Sequence, residues 1–186
     1  TERDAKQACE SLFHNLNTLE SRPGSQVPFT SINFGTDTSA EGRLVTKALL
    51  EASLDGIGSF HRTSIFPISI FKLKEGINRY PEDPNYDLYQ LALKSLSHRI
   101  YPNIAMLDCP IDAGFNSPDE QFCTMGCRTQ TAFDINGLGN TMTGRGNIAP
   151  ATINLVDIGI QHGICLIQRE QADEEGFFNT LEQRID

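Results

Sequence analysis

Apolar and polar positions alternate along the chain with a period that changes from one segment to the next. In four segments the apolar residues fall three or four positions apart, as on the buried face of an amphipathic helix. These predicted helices cover residues 5–19, 39–53, 83–100 and 177–181. Ser39 favours the start of the second helix as a cap, and Asp83-Pro84 favours the start of the third. The residues of the second helix predicted to face inward are Val45, Ala48, Leu49 and Ala52.

Shorter apolar stretches lie between these helices and are rich in isoleucine, valine and phenylalanine. They predict strands at residues 27–33, 65–73, 104–107 and 153–160, with a further one at 164–168. Pro67 weakens the second of these predictions, because proline cannot donate a hydrogen bond to a neighbouring strand. Strands separated by helices of this length favour a parallel sheet with crossover helices. The predicted fold class is therefore α/β.

One long segment, residues 108–151, follows neither period. It is rich in glycine, proline and cysteine and contains no sustained apolar repeat. A connection of this length inside a compact domain is usually a functional loop, or else a sign that regular elements have been missed. In parallel sheets, the loops that leave the carboxyl ends of strands are the ones that build sites. We therefore expect the chemistry of this chain within residues 108–151.

Composition and charge exclude several classes of protein. The formal charge of -9 and pI near 4.9 argue against DNA or RNA binding, which requires a basic face. No apolar run approaches the roughly 18 residues that predict a membrane span, and the first residues are too polar for a signal peptide. Five cysteines are an odd number for a disulfide framework. Reduced thiols and a cytoplasmic location are predicted.

The stretch Phe122-Cys-Thr-Met-Gly-Cys-Arg128 concentrates sulfur in the long segment, and three interpretations of it compete. The first is a structural zinc site in a binding module. Cysteines separated by three residues can share a zinc ion. The ligands of that site would be Cys109, Cys123 and Cys127, with Cys165 or His162 as the fourth.

The other two interpretations need no metal. Buried cysteines behave as small apolar residues, which suits Cys9 on the apolar face of the first predicted helix, and Cys165. A reactive sulfur is the third possibility, because Arg128 places a cation beside Cys127 and a nearby cation favours the reactive thiolate. His98 and His162 are available as bases, although neither has a distinctive context.

Downstream of that stretch, Gly144-Arg-Gly-Asn147 also has two interpretations. Glycines around an arginine allow backbone N–H groups to converge on an anion such as phosphate or carboxylate. The alternative is a solvent-exposed turn. The preceding Asn136-Gly-Leu-Gly139 is no dinucleotide-binding fingerprint, because the spacing and the flanking elements are wrong.

Several strings together resemble the anaerobic, class III ribonucleotide reductases. The strings are Gln7-Ala8 through His14-Asn-Leu-Asn-Thr18, Ser21-Arg-Pro-Gly-Ser-Gln-Val-Pro-Phe-Thr-Ser-Ile-Asn-Phe-Gly35, Thr124-Met-Gly-Cys-Arg128, and Gly144-Arg-Gly-Asn147 followed by Thr152-Ile-Asn-Leu155. They occur in order over essentially the whole chain. Each is a moderate signal by itself, and their combination is specific.

The resemblance implies a fold and a set of site residues. The family's fold is a ten-stranded α/β barrel of two five-stranded parallel halves, with a finger loop through its centre. Residues 1–186 would be an internal segment of that barrel domain, a partial barrel with its finger loop at about 108–151. By resemblance, Cys127 carries the thiyl radical that abstracts the ribose 3′ hydrogen. Met125 matches the methionine of the formate-using subgroup, and Asn147 matches an asparagine that replaces a glutamate of other reductase classes.

The resemblance also implies cofactors and partners, most of them bound outside this segment. The glycyl radical, the structural zinc and the regulatory domain for ATP or dNTP effectors have no counterpart among the 186 residues. Ribonucleoside triphosphates are the implied substrates, formate the reductant, a radical-SAM enzyme the activator and a homodimer the assembly. The chain also opens without methionine inside a helical pattern, so we expect an internal piece of a longer protein that cannot reduce nucleotides alone. A degenerate relative kept as an interaction protein remains an alternative.

Overall fold

The computed structural model describes residues 1–21, 23–109, 122–126, 129–131, 144, 152–164 and 170–185. The chain divides into two compact units, Thr1–Arg145 and Gly146–Asp186. In the first unit the described helices are α1 (Glu2–Thr18), α2 (Ala40–Asp55) and α3 (Tyr86–His98), and the described strands are β1 (Ser31–Phe34), β2 (Ile68–Leu73), β3 (Asn103–Met106), β4 (Cys123–Met125) and β5 (Thr129–Thr131). In the second unit the described helices are α4 (Leu155–His162) and α5 (Glu174–Ile185).

A three-stranded parallel sheet forms the centre of the first unit. Its strands lie in the order β1-β2-β3, with Phe34 paired to Phe71 and Phe71 paired to Ile104. Helix α2 connects β1 to β2, and α3 connects β2 to β3. These are the crossover connections that parallel strands require. The predicted α/β class is confirmed, whereas the ten-stranded barrel stays a prediction, since the described sheet has three parallel strands.

Helix α2 begins where the sequence predicts. The Ser39 hydroxyl accepts a hydrogen bond from the Gly42 N–H at 3.0 Å, and Asp37 Oδ1 accepts one from the Ser39 N–H at 2.8 Å. The short side chains thus satisfy backbone donors that the first helical turn leaves without partners. Of the four residues predicted to face inward, Ala48, Leu49 and Ala52 are buried, whereas Val45 is 50% exposed and that part of the prediction is wrong.

Helix α3 begins later than predicted, at Tyr86. The Asp83 carboxylate accepts hydrogen bonds from the N–H groups of Arg79 and Tyr80, both at 2.8 Å, and so closes a turn before the helix. The helix ends at His98, which leaves Ile100 beyond it and 57% exposed. Local hydrogen bonds of the aspartate therefore outweigh the helix-starting tendency of the Asp83-Pro84 pair.

The strands are shifted and shortened relative to their predictions. β1 begins at Ser31 rather than at residue 27, and β3 occupies 103–106 rather than 104–107. β2 begins at Ile68, directly after Pro67. The proline thus stands outside the ladder in which it could not donate.

Apolar side chains from the three helices cover one face of the sheet. Two clusters of buried residues form this core, namely Leu50, Phe71, Leu73, Leu88 and Ala92, and Cys9, Phe13, Ala48, Leu49 and Ala52. The prediction that Cys9 is a buried apolar residue is confirmed, because it is only 8% exposed. Burial raises the pKa of the Cys9 thiol, and the nearby Glu10 carboxylate adds to that shift.

The second unit contains the clearest error of the sequence predictions. Of residues 153–160, predicted as a strand, 155–160 lie in helix α4. The Asn154 side chain accepts a hydrogen bond from the Asp157 N–H at 3.1 Å, and Gln161 donates to Asp157 one turn later at 2.9 Å. A helix cap and a side-chain hydrogen bond across one turn both favour a helix. They outweigh the β-branched residues of this stretch, which favour a strand. The strand predicted at 164–168 lies, apart from residue 164, outside the described residues.

Helix α5 confirms a helix around residues 177–181, although none of its described residues is buried. The ring centroids of Phe177 and Phe178 lie 5.3 Å apart in an edge-to-face arrangement, and Phe178 is 58% exposed. Across the described ranges, we find no helix that combines the length and the apolar character needed to cross a membrane.

Candidate functional site

The two faces of the parallel sheet differ in chemistry. Phe71 and Leu73 of β2 pack against residues of α2 and α3, and their side of the sheet is the helix-side face. Successive residues of a strand point to opposite faces. Ile70 and Lys72 therefore point to the opposite face. In β1, Asn33 is paired with Ile70 and shares that opposite face. We call it the finger-side face, and its members on β1 and β2 are Ser31, Asn33, Ile68, Ile70 and Lys72.

The short antiparallel hairpin β4–β5 contacts the finger-side face through hydrogen bonds. Asn33 donates from Nδ2 to the Thr124 carbonyl at 2.9 Å and accepts from the Thr124 N–H at Oδ1, also at 2.9 Å. The Thr124 hydroxyl lies 3.3 Å from the same Oδ1. Two residues on, the Gly126 N–H donates to the Ser31 hydroxyl at 3.1 Å. The side chains of β1 thus bond to the backbone of β4 as a neighbouring strand would.

Lys72 supplies a cation to this contact. Its Nζ lies 3.2 Å from Cys123 Sγ, and the residue is only 7% exposed. In the described part of the chain no carboxylate lies within ion-pair distance of Lys72. A buried ammonium group without an anionic partner is costly, so its neighbourhood has to supply polar atoms. The thiol of Cys123 is one of them.

Apolar contacts complete the seat of the hairpin. Phe122, immediately before β4, is buried against Leu107 and Ala105 at the end of β3. Gly126 follows β4 with φ +67°, and a Cβ on it would lie 3.3 Å from the Phe29 ring. Positive φ and a close ring both favour glycine there. The hairpin is thus held from both of its sides.

Buried asparagines fix the loops at the carboxyl ends of β1 and β2. The long segment leaves the carboxyl end of β3 at the same edge of the sheet. Asn78 donates to the carbonyls of Gly35 and Lys72 at 2.9 and 2.8 Å and accepts from the Lys74 N–H at 2.9 Å. Asn85 donates to the Asp37 carbonyl at 2.8 Å. Both asparagines are fully buried. Sequence reasoning missed them, since a polar residue outside a helical or strand period carries no local signal of burial.

Asp108, the first residue of the long segment, is tied to the same edge. Its Oδ2 accepts a hydrogen bond from the Glu75 N–H at 2.6 Å and lies 3.5 Å from an Arg79 guanidinium nitrogen. The long segment therefore departs from a fixed point at the carboxyl edge of the sheet, as the α/β pattern predicts.

Of the three residues proposed for the chemistry, Met125 lies within the described residues. It is the last residue of β4, half-buried and paired with Thr129. Cys127 and Asn147 lie outside the described residues, as do Arg128 and Cys165. The assignment of Cys127, Met125 and Asn147 therefore stays a prediction.

Within the described ranges, no cluster of metal-ligating side chains supports the zinc interpretation. There, no three histidine, cysteine, aspartate or glutamate side chains converge on a possible metal position. Cys109 and Cys123 are free thiols, and the remaining cysteines of the proposed set, Cys127 and Cys165, are not described. The His162 ring contacts Asp173 at 3.1 Å and Thr180 at 2.9 Å. This interpretation stays untested for the full ligand set.

The candidate bases are also engaged in local structure. His98 Nδ1 lies 2.9 Å from both the Lys94 carbonyl and the Ser97 hydroxyl at the end of α3. His162 and Asp173 join α4 to the start of α5, where Asp173 also accepts from the Gly176 N–H at 2.9 Å. Both histidines thus have a structural use at a helix end.

Comparison with known proteins gives one consistent family. Residues 1–186 match the family described as anaerobic ribonucleoside-triphosphate reductase. Curated relatives of that name include proteins of Haemophilus influenzae, 35% identical over 99% of this chain, and of Enterobacteria phage T4, 34% identical over 100% of it. The protein of Escherichia coli is 32% identical over 100% of the chain.

The match covers a limited part of each relative. The chain spans 24% of the Haemophilus influenzae and Escherichia coli proteins and 30% of the phage protein. The relatives align with this chain across the parallel sheet, the hairpin and the second unit alike. The resemblance drawn from the sequence strings is confirmed, and the chain belongs to the anaerobic ribonucleoside-triphosphate reductase family.

Proposed function

We propose that the protein to which these residues belong reduces ribonucleoside triphosphates to deoxyribonucleoside triphosphates, with Cys127 as the radical-bearing residue. The observation that carries this proposal is the match to the reductase family over residues 1–186. The seating of β4, which ends two residues before Cys127, on a partly polar sheet face supports it.

The proposed first step is a hydrogen-atom transfer between sulfur and sugar. The Cys127 thiyl takes the 3′ hydrogen of the ribose, so an S–H bond forms, a C–H bond breaks and the unpaired electron moves to the 3′ carbon. The 2′ hydroxyl then takes up a proton and leaves as water, and formate supplies two electrons and its hydrogen to the sugar as it becomes carbon dioxide. The Cys127 S–H finally returns its hydrogen to the 3′ carbon, which regenerates the thiyl. A glycyl radical elsewhere in the protein supplies the unpaired electron that starts the sequence. A closed site suits this chemistry because it excludes water and side reactions.

Two further residues have proposed roles beside Cys127. Met125 marks formate as the reductant, by resemblance to the formate-using subgroup. Its polarizable thioether belongs to a residue two positions before Cys127 in the sequence. Asn147 orients a substrate hydroxyl through its amide. An amide can donate and accept without adding a full charge to a closed pocket.

The remaining parts of the proposal concern the whole protein. Residues 1–186 form part of a ten-stranded α/β barrel, with the finger loop at about 108–151. The assembly is a cytoplasmic homodimer activated by a radical-SAM enzyme and regulated by ATP or dNTP effectors. Its structural zinc and glycyl radical are bound outside residues 1–186. This division implies that residues 1–186 alone do not reduce nucleotides.

The experiment is anaerobic turnover of CTP by the full-length protein, after treatment with its activating enzyme. We expect dCTP when formate is present and none when formate is omitted or when residues 1–186 are used alone. Turnover with a thioredoxin-type reductant in place of formate would contradict the role given to Met125. Absence of dCTP from full-length protein with a measured glycyl radical would contradict the function itself. About one equivalent of zinc retained by residues 1–186 would favour the zinc-stabilised binding module instead.

A further inference from the structure

We infer that Asn33 is a positioning residue for the radical chemistry, because its side-chain amide fixes β4 in one register on the finger-side face. The inference rests on the proposed function and adds to it a residue far from Cys127 in the sequence. Asn33 and Thr124 are 91 positions apart, and their two-way hydrogen bond joins the parallel sheet to the hairpin.

The bond pattern makes this contact specific for one residue of β4. The Asn33 carboxamide donates to the Thr124 carbonyl and accepts from the Thr124 N–H, both at 2.9 Å. A backbone N–H and C=O on the same residue are satisfied together, as they would be by a paired strand. Displacing β4 by one residue would break both bonds and turn its side chains to the opposite face.

Contacts on either side of Thr124 reinforce the same register. Lys72 Nζ lies 3.2 Å from the sulfur of Cys123, and the Ser31 hydroxyl accepts from the Gly126 N–H at 3.1 Å. The three contacts bracket Met125 between fixed neighbours. Asn33 is the central one, and its amide alone bonds in both directions.

The distance along the chain connects this register to the proposed radical residue. Cys127 follows Met125 by two residues, and two residues of chain span at most about 7 Å. A fixed β4 therefore limits where the sulfur can lie. Reacting atoms need approach distances of about 3–3.5 Å, and a misplacement of about 1 Å can lower a rate about 100-fold. Loss of the Asn33 amide is therefore expected to act on turnover more than on folding.

The stability of the sheet depends on the Asn33 amide less than the position of β4 does. The two larger buried apolar clusters lie on the helix-side face, where Asn33 does not contribute. A neutral hydrogen bond contributes little net stability compared with the burial of an apolar cluster. A variant that lacks the amide should thus remain folded, with a disturbed hairpin.

The test compares three variants of the full-length protein. Asn33→Ala removes both bonds, and Asn33→Asp keeps an acceptor for the Thr124 N–H but cannot donate. Asn17→Ala is the matched control, because the Asn17 amide also bonds to backbone in both directions. It accepts from the N–H groups of Ile65 and Phe66 at 2.8 and 3.1 Å and donates to the carbonyls of Phe13 and Phe66. Asn17 makes no bond to β4. The readouts are hydrogen exchange at the Thr124 amide, the glycyl radical measured by electron paramagnetic resonance, and kcat and KM for CTP.

For Asn33→Ala we expect faster exchange at Thr124, an unchanged glycyl radical yield and a kcat lowered about 100-fold. Asn33→Asp should fall between this variant and the wild type. Asn17→Ala should keep the wild-type kcat and the slow Thr124 exchange. A merely structural role would lower the thermal stability and kcat of the Asn33 and Asn17 variants in parallel.

Two results would overturn the inference. One is a wild-type kcat in Asn33→Ala, and the other is unchanged exchange at Thr124 in both Asn33 variants. If Asn33→Ala fails to fold, Asn33→Asp decides by the same readouts. Failure of the proposed function is a separate result, since it appears as a wild-type protein that carries its glycyl radical and makes no dCTP. The Thr124 exchange data would still accept or reject the contact itself.

Discussion

The helix-side and finger-side faces belong to the same three strands, but polar contacts contribute far more to the finger-side face. On the helix-side face, Phe71 and Leu73 pack among apolar residues of α2 and α3. On the finger-side face, the amide of Asn33 and the ammonium group of Lys72 bond to a hairpin, beside the smaller apolar cluster around Phe122. Apolar burial is non-directional, whereas hydrogen bonds specify partner and orientation. One face therefore stabilises the sheet, and the other places a particular strand against it.

The difference teaches where changes of sequence should affect folding and where they should affect placement. Removing buried apolar volume from the helix-side face leaves a cavity. Removing a polar atom from the finger-side face leaves the core intact and frees the hairpin to shift.

The largest effect on this comparison is expected from Phe71→Ala. Phe71 is fully buried, and the centroid of its ring lies 6.0 and 6.1 Å from the ring centroids of Phe34 and Tyr89. Its truncation should lower the free energy of unfolding by about 3–5 kcal/mol. Thermal unfolding of the full-length variant, beside Asn33→Ala, measures the contrast. A larger loss in Asn33→Ala than in Phe71→Ala would reverse the assignment of the two faces.

A smaller effect is expected from Gly126→Ala. The residue has φ +67°, and the added Cβ would meet the Phe29 ring at 3.3 Å. A left-handed conformation costs a non-glycine residue about 1–2 kcal/mol. We expect faster hydrogen exchange in β4 and β5 and no change in the exchange of β2. Gly24→Ala is the control for a positive φ in open space. If exchange rates in β2 rise together with those of the hairpin, the two faces are not separable.

Lys72→Met should change stability by no more than about 1 kcal/mol, in either direction. Methionine has a similar length and removes a buried charge that has no described carboxylate partner. Replacing a buried charge by an apolar group is often neutral or stabilising. The measurement is the midpoint of thermal unfolding, with Lys94→Met as an exposed control. A loss of several kcal/mol would show that Lys72 is paired with an anion in the full-length protein.

The smallest effect concerns pH and the buried thiol of Cys9. Burial raises the pKa of this thiol in the folded state, with Glu10 adding to the shift. Ionisation is therefore harder in the folded than in the unfolded chain. The stability associated with the neutral thiol is complete below the unfolded pKa of about 8.5 and is lost as pH rises toward the raised folded value.

Cys9→Ala should remove that part of the alkaline loss of stability. Unfolding midpoints between neutral pH and pH 10 measure it for the variant and the wild type. A wild-type profile that is unchanged by the substitution would mean that the thiol is not buried in the full-length protein. Cys123→Ala is the matched control on the finger-side face, where no core cluster includes the cysteine.

The helix-side architecture was largely predictable because its signals are local. Ser39 caps α2 through its immediate neighbours, and the spacing of Ala48, Leu49 and Ala52 predicts their burial. The strand predicted at 153–160 failed for a local reason as well, since the Asn154 cap favours a helix in a stretch whose composition suggests a strand. The ends of the strands shifted because pairing register depends on distant partners.

The finger-side contacts could not be predicted from the sequence. Asn33 reads as an ordinary strand residue, and its partner Thr124 lies 91 positions away. Lys72 sits within an apolar strand and shows no sign of a sulfur neighbour. The candidate residues Cys127, Met125 and Asn147 came from resemblance to a family, and their roles stay a prediction. What the structure adds is the set of contacts that hold the residues on either side of Met125.

The central claim is that the sulfur of Cys127 exchanges a hydrogen atom with the substrate. The direct measurement is dCTP formation by the full-length Cys127→Ser variant, with its glycyl radical quantified in the same sample by electron paramagnetic resonance. A serine O–H bond is too strong to serve in this exchange. We predict a wild-type radical yield and no detectable dCTP. Formation of dCTP by a radical-loaded Cys127→Ser protein would contradict the account.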